Sequence, residues 1–372
     1  MRINKIISGL AVLLTGALLL SSCDEKNTPP VISDCVFDLQ GMQASYRLEA
    51  ASRSEAIQAA VGRIHTELVT KFAETPNQAS LDRMREDFVN AYLLYQGFAG
   101  FDIGQGFDYR EGTFFNEWAN TFPTNTDSIE TRISQGKLNL TNASRLLLGF
   151  PALEYMLYGI EPTDAEIINR YQNDGNAVMM GIRQAFYLEQ LFRDINEFWT
   201  GDESEFFNLS SGSGDGSPLA LMVNSLVKDF EFNKNFKLKS PAGRYNGGNP
   251  QPEQAEGKFM DKTISLAKAN YQYNKTLLYG TNSNGESISN GILAYVECID
   301  PTVSAAITDQ FNFIDGLWME LQDPFSEIVN DSQKLEKLNI LINELQKLTP
   351  ALKAQMTSVL NVRITYQDND GD

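Results

Sequence analysis

Histidine is almost absent from this chain: His65 stands alone among 372 residues. Cysteine is nearly as scarce, with Cys23, Cys35 and Cys298 far apart and no CxxC pair. Structural zinc sites draw on clustered thiolates and imidazoles, so ligand supply excludes one. Positive charge is also short. Against 48 acidic residues stand 30 basic ones, a formal net charge of −18. Such a chain repels phosphate backbones, and nucleic-acid binding, which rests on Lys and Arg neutralising phosphates, is not expected. The acidity does raise the local concentration of cations and keeps the surface soluble. Alternating short strands and a strand–helix–strand rhythm are missing too, which excludes sandwich and doubly wound folds.

One long apolar run is present. MRINKIISGLAVLLTGALLLSSC carries Arg2 and Lys5, then apolar residues, then small ones before Cys23, the pattern of a secretory signal over residues 1–22. Leu20-Ser21-Ser22-Cys23 resembles the bacterial lipobox, whose cysteine is lipidated and becomes the first mature residue. Several acyl chains on one residue anchor a protein stably. The polar, proline-containing stretch from Cys23 to residue 34 then serves as a tether. A cell-envelope location follows, with membrane contact through Cys23, facing the periplasm or at the outer-membrane surface. An oxidising compartment permits a bridge between Cys35 and Cys298, although two free thiols fit the sequence equally well.

Helical periodicity dominates the rest. Amphipathic segments run over Ser54–Phe72, Gln78–Tyr95, Ala143–Tyr158, Ala165–Trp199, Leu219–Phe232, Gly257–Tyr279, Val303–Val329 and Ser332–Val362. Each must bury its stripe against another, so the fold expected is all-α, built of helical bundles. A polar, glycine-rich interval at Gly201–Ala220 reads as a linker between halves 35–205 and 206–372. Lys239–Pro252, with three prolines and three glycines, is read as non-helical. YMLYG ending at Gly159 and TLLYG ending at Gly280 echo each other, each glycine standing where a helix takes a left-handed stop.

Within GFPALEYMLYG, Glu154 shares a stripe with Leu147, Phe150, Leu157 and Tyr158. A carboxylate there needs a cation, a donor network or a proton. Pro151 leaves two readings. Either a helix starts here, with Pro151 in its first turn, or a longer helix kinks and frees the Leu147 carbonyl. Under the first, the helix dipole favours ionised Glu154.

Four blocks in order give the chain a resemblance to the imelysin-like family. These are Leu81–Gly104, which has Phe88 where the family usually has Trp; Asn120–Ile133; GFPALEYMLYG; and Lys239-Ser-Pro-Ala-Gly followed by Glu256–Gly280, with Glu256, Phe259 and Asn270 in register. The resemblance implies two four-helix bundles with a functional cleft at their interface, lined by the family's GxHxxE helix. Gly149 and Glu154 keep that motif, and Pro151 stands in place of its histidine. His and Glu three apart on a helix can share a metal, but proline has no donor atom. His65 is expected at the surface or core edge. A functional metallopeptidase is therefore not expected, in spite of the family's former classification.

What the resemblance implies instead is ligand or metal binding in iron uptake, with iron or haem as the ligand. Ferric iron suits carboxylate and phenolate oxygens. Glu154, Tyr155 and Glu256 are the first candidates, with Glu154 and Glu256 as metal ligands. Asp102, Arg110 and Arg244 are candidate partners from neighbouring loops, since an arginine satisfies a buried carboxylate without metal. The alternative is a non-enzymatic module that docks an envelope protein or haem carrier, using aromatics of Phe107–Phe122, with the cleft as a packing seam. TYQDNDGD at the C-terminus begins like a calcium loop but lacks the downstream glutamate, and an acidic tail is expected.

Overall fold

Asp38 caps the first and longest helix, α1 (Leu39–Glu67), by accepting the Gly41 N–H at 2.9 Å. The computed structural model describes residues 35–104, 114–209, 212–281, 287 and 290–366. The signal at 1–22, Cys23 and its lipidation, the tether, Arg110 and the tail from residue 367 lie outside the described residues. Every regular element among the described residues is helical, apart from one isolated antiparallel bridge between Thr281 and Ser287. Helix α1 starts well before Ser54. Met42, Tyr46 and Ala50 extend the buried stripe backwards, but Gln43 and Ser54 beneath it dilute the apolar signal.

A first group of helices follows with α2 (Gln78–Gln96), α3 (Phe115–Ala119), α4 (Thr126–Ser134), α5 (Gly149–Glu154), α6 (Asp164–Asn173), α7 (Gly175–Thr200) and α8 (Phe206–Leu209). Helix α1 packs along α2 and α7, while α5 and α6 pack on α7. The expected single segment Ala165–Trp199 is two helices. Asp174 interrupts it by accepting the N–H groups of Asn176 and Ala177 at 3.0 and 3.2 Å, and so restarts the chain as α7. The polar interval is pinned near its start by Phe207, buried against Tyr46 and Trp199.

A second group comprises α9 (Pro218–Phe232), α10 (Thr263–Tyr279), α11 (Ile292–Ile299), α12 (Pro301–Trp318), α13 (Phe325–Asn330), α14 (Ser332–Pro350) and α15 (Thr357–Val359). Here α10 packs on α9 and α11, and α12 on α11 and α14. Ser217 caps α9 with Pro218 in the first turn. Val303–Val329 also divides, because Pro324 cannot continue a helix and Asp323 turns away to accept the N–H groups of Ile264 and Ser265 at 2.8 and 3.0 Å. That remote cap is why α10 begins at Thr263 and not at Gly257. The groups meet where α10 lies on α2 and α9 lies on the turn at Ala99–Phe101. Cys35 and Cys298 are joined by a disulfide, which closes the alternative the sequence left open.

The glycine echo holds on one side only. Gly280 ends α10 with φ +68°, the left-handed stop expected. Gly159 has no such φ; it follows a wider π-type turn over Tyr155–Gly159, and its missing side chain makes room for the Phe259 ring, which a Cβ would meet at 2.4 Å.

Candidate functional site

Gly149 opens α5 with φ +83°, and a Cβ there would lie 2.2 Å from the Ala119 carbonyl oxygen, so only glycine fits. Pro151 falls in the first turn, where its missing N–H costs no hydrogen bond. The kinked-helix alternative is thereby set aside. One turn later Glu154 is 2% exposed, and its Oε1 accepts the N–H groups of Phe259 and Met260 at 2.7 and 3.1 Å. The segment between Glu256 and Thr263 aims both donors by its bend, with positive φ at Gly257 and Asp261. Burial pushes the Glu154 carboxyl up to about 8; the two N–H groups and Lys258 pull it down, and neighbouring Glu256 adds to the rise.

Glu256 lies at the centre of a second, buried cluster. Its Oε1 accepts from Gln96 Nε2 at 2.8 Å and Asn120 Nδ2 at 2.6 Å, and Lys237 Nζ stands 3.2 Å from Oε2. Lys237 also donates to Gln96 Oε1, and Tyr92 donates to Asn120 Oδ1 at 2.6 Å. The Lys237–Oε2 contact is an ion pair by distance but lies off hydrogen-bond direction, so Oε2 has no directed donor among the described residues. Lys237 donates to the other oxygen, Oε1, at 3.4 Å, so the pair has one long hydrogen bond beside its Coulomb attraction.

Beside this cluster, a cavity of about 460 Å³ opens between α9 and the segment around α3. Lys228 and Lys237 together with Asp102, Glu117, Asp229 and Glu231 supply its charge, and Phe122 and Phe232 part of its apolar wall. Asp102 accepts the N–H groups of Phe115 and Asn116 at 3.2 and 3.0 Å, which starts α3. Burial raises its carboxyl to about 7, opposed by Lys228 and both N–H groups. Asp229 Oδ2 accepts from Asn270 and Asn274 at 2.7 Å each, and burial raises that carboxyl as well. Lys228 Nζ sits 2.9 Å from the centroid of the Phe114 ring, and burial lowers its pKa. Lys228 lines the cavity, where Asp102 and Asp229 oppose that lowering without any described carboxylate coming within ion-pair distance.

Of the residues expected from sequence, Glu154, Glu256 and Asp102 are buried in this region. Tyr155 is not aimed with them: its hydroxyl donates to Glu130 at 2.7 Å, where Arg170 also binds, and burial with that hydrogen bond raises the phenol. Arg244 reaches Asn339 and Asn343 on α14 at 3.1 and 3.0 Å and pairs with no buried carboxylate. The compensation expected from arginine comes from peptide N–H groups at Glu154 and from Lys237 at Glu256. These two carboxylates also fit a metal poorly. Donors already occupy Oε1 of each and an ammonium stands at Glu256 Oε2, and no cluster of three or more His, Cys, Asp or Glu able to hold a metal occurs among the described residues. Phe114 and Phe122 line the cavity and Phe115 is buried, while Phe107 lies outside the described residues. His65 is at the core edge as expected, 2.6 Å from Glu189.

Sequence reading missed Lys228, Asp229, Lys237 and Gln96. The adjacent pair Lys228-Asp229 inside a largely buried helix was the available signal, and Asn270 and Asn274, one turn apart, mark the face that answers it.

A family model for imelysin, classed as peptidase M75, matches residues 42–352. One similar solved structure is described as a candidate iron-regulated protein A precursor from Parabacteroides distasonis ATCC 8503, with TM-score 0.69 and 13% identity over 87% of this chain and 97% of that one. A second is an imelysin-like protein from Psychrobacter arcticum 273-4, with TM-score 0.60 and 15% identity over 89% of this chain and 99% of that one. At these identities the likeness is one of fold. No curated protein matches the sequence. The family match runs from the first turns of α1 past the end of α14, taking in both helix groups and the helix that bears Glu154, and the chain belongs to the imelysin family.

Proposed function

We propose that this protein is a cell-envelope lipoprotein, anchored through Cys23, that binds a small anionic iron ligand in the cavity beside Glu256 and serves iron uptake without peptidase activity. The observation that carries this reading is Lys228, a largely buried ammonium that faces a cavity of about 460 Å³ with no carboxylate among the described residues at ion-pair distance. A cation so held favours an anionic ligand over free ferric ion, so haem or an anionic iron chelate suits it better. The iron-regulated description of a structural relative supports the choice of ligand class. Pro151 in place of the motif histidine argues against a metal-activated water, which peptide hydrolysis would need. The two helix groups correspond, on this reading, to bundle domains 35–205 and 206–372.

A second reading has its own observation. The cluster of Lys237, Glu256, Gln96 and Asn120 ties the two groups together by hydrogen bonds and an ion pair, which suits a structural seam in a protein-interaction module. Titration of the full-length chain with ferric citrate and with haemin separates them. Binding that weakens tenfold or more in Lys228→Met supports the cavity. Absence of binding to either probe favours the interaction module, and binding untouched by Lys228→Met moves the site elsewhere.

A further inference from the structure

A second concave site lies away from this cavity, where the end of α4 and the loop behind it face an exposed stripe of α7. Its groove, about 880 Å³, is lined by Arg132, Lys137, Met179, Arg183 and Phe186 among others. Met179, Arg183, Phe186 and Gln190 fall at steps of four, three and four, which is one face of a helix. Two of these are large apolar side chains left in water, Met179 at 38% and Phe186 at 40% exposure.

Charge sets the groove apart from the rest of an acidic molecule. Most of the described arginines lie within ion-pair distance of a carboxylate. The exceptions are Arg132, Arg183 and Arg244, and the first two share this groove with Lys137. Arg244 is held by two asparagines, whereas the side chains of Arg183 and Lys137 have no hydrogen-bond or ion-pair partner among the described residues. No acidic residue is among the described residues that line the groove. Glu189, the nearest acid on α7 in sequence, is held by His65. Arg132 donates from Nη2 to the Asn139 carbonyl, while its buried Nε–H has no acceptor. A buried donor left idle calls for an acceptor, and three unpaired cations around it call for an anionic one.

We propose that this groove binds a phosphate-type oxyanion carried on an apolar or aromatic body, with the anionic oxygens on Arg132, Lys137 and Arg183 and the body against Phe186 and Met179. The phosphate can belong to a lipid headgroup or to a free small molecule, and the chemistry of recognition is the same for both.

Calorimetric titration of the full-length chain with phenyl phosphate is the direct test, run beside co-sedimentation with vesicles of phosphatidylglycerol or of phosphatidylcholine. An acyl anchor would favour neither vesicle composition, so a preference for phosphatidylglycerol reports the groove. The exposed substitutions Arg183→Glu and Lys137→Glu, checked for unchanged melting, should each weaken binding about tenfold. Phe186→Ser should weaken phenyl phosphate more than inorganic phosphate, and added salt should weaken both. Loss confined to the phenyl phosphate arm identifies a free ligand, and loss of the vesicle preference identifies a headgroup; either supports the proposal. No binding in both arms, or binding that survives the Arg183→Glu/Lys137→Glu double variant, overturns it.

Discussion

Glu154 Oε1 accepts the backbone N–H of Phe259 at 2.7 Å, so a carboxylate on α5 is held by peptide groups of a bend more than a hundred residues further along the chain. Its hydrogen bonds depend on where that backbone runs, and the Lys258 charge on the same bend adds to them.

The raised carboxyls of Glu154, about 8, and Asp102, about 7, set a pH dependence. Each folded value lies above the ordinary one, so the unfolded chain releases these protons first as pH rises. Their contribution to stability is greatest below about pH 4 and is lost progressively up to about pH 8. Glu154→Gln removes one titration. Its melting temperature, measured against wild type from pH 4 to 8, should fall less steeply with pH. A parallel pair of curves would contradict the burial of this carboxyl.

Lys237→Met leaves Glu256 enclosed with no cation, which should cost about 3–5 kcal/mol in denaturant unfolding. The double variant Lys237→Met/Glu256→Gln should recover part of that loss, because no charge then remains buried. If the single substitution is neutral, the pair does not stabilise the seam.

Gly149→Ala meets the Ala119 carbonyl and adopts a φ that side chains resist, with an expected loss of about 1–3 kcal/mol or more. Gly175→Ala, with nothing within 4 Å of the added Cβ, should be neutral or stabilising by about 0.4–1 kcal/mol. Equal thermal shifts for the two would remove the steric account of the motif glycine.

Reduction of the Cys35–Cys298 disulfide, or Cys298→Ser, should lower unfolding free energy by about 2–5 kcal/mol, since the bridge closes a loop spanning 263 residues. Identical unfolding curves with and without reductant would show that the unfolded chain gains little freedom from its loss.

The burial of Glu154 is legible in the sequence, and its partners are not. That burial follows from a helical stripe, because periodicity is a local property, whereas the stripe ran back to Ala143 and Pro151 left a helix start and a kink both open, so the start of α5 at Gly149 came from the fold. Arg244 and Tyr155 were placed with the site by proximity along the chain or by chemical type, and each found other partners, Arg244 on α14 and Tyr155 at Glu130. The ends of α10, α12 and α7 were misread where an aspartate capped a helix, at Asp174 locally and at Asp323 from another element.

By itself the sequence determined the all-helical class, the imelysin resemblance, the loss of the motif histidine and the need of Glu154 for company. Only the tertiary structure decided what that company is: two peptide N–H groups, a Lys237–Glu256 pair, and a cavity faced by Lys228. The division has a physical cause. Stripes, caps and turns are written within a few residues of one another, whereas the pairing of buried charges is set when distant segments close and water leaves between them.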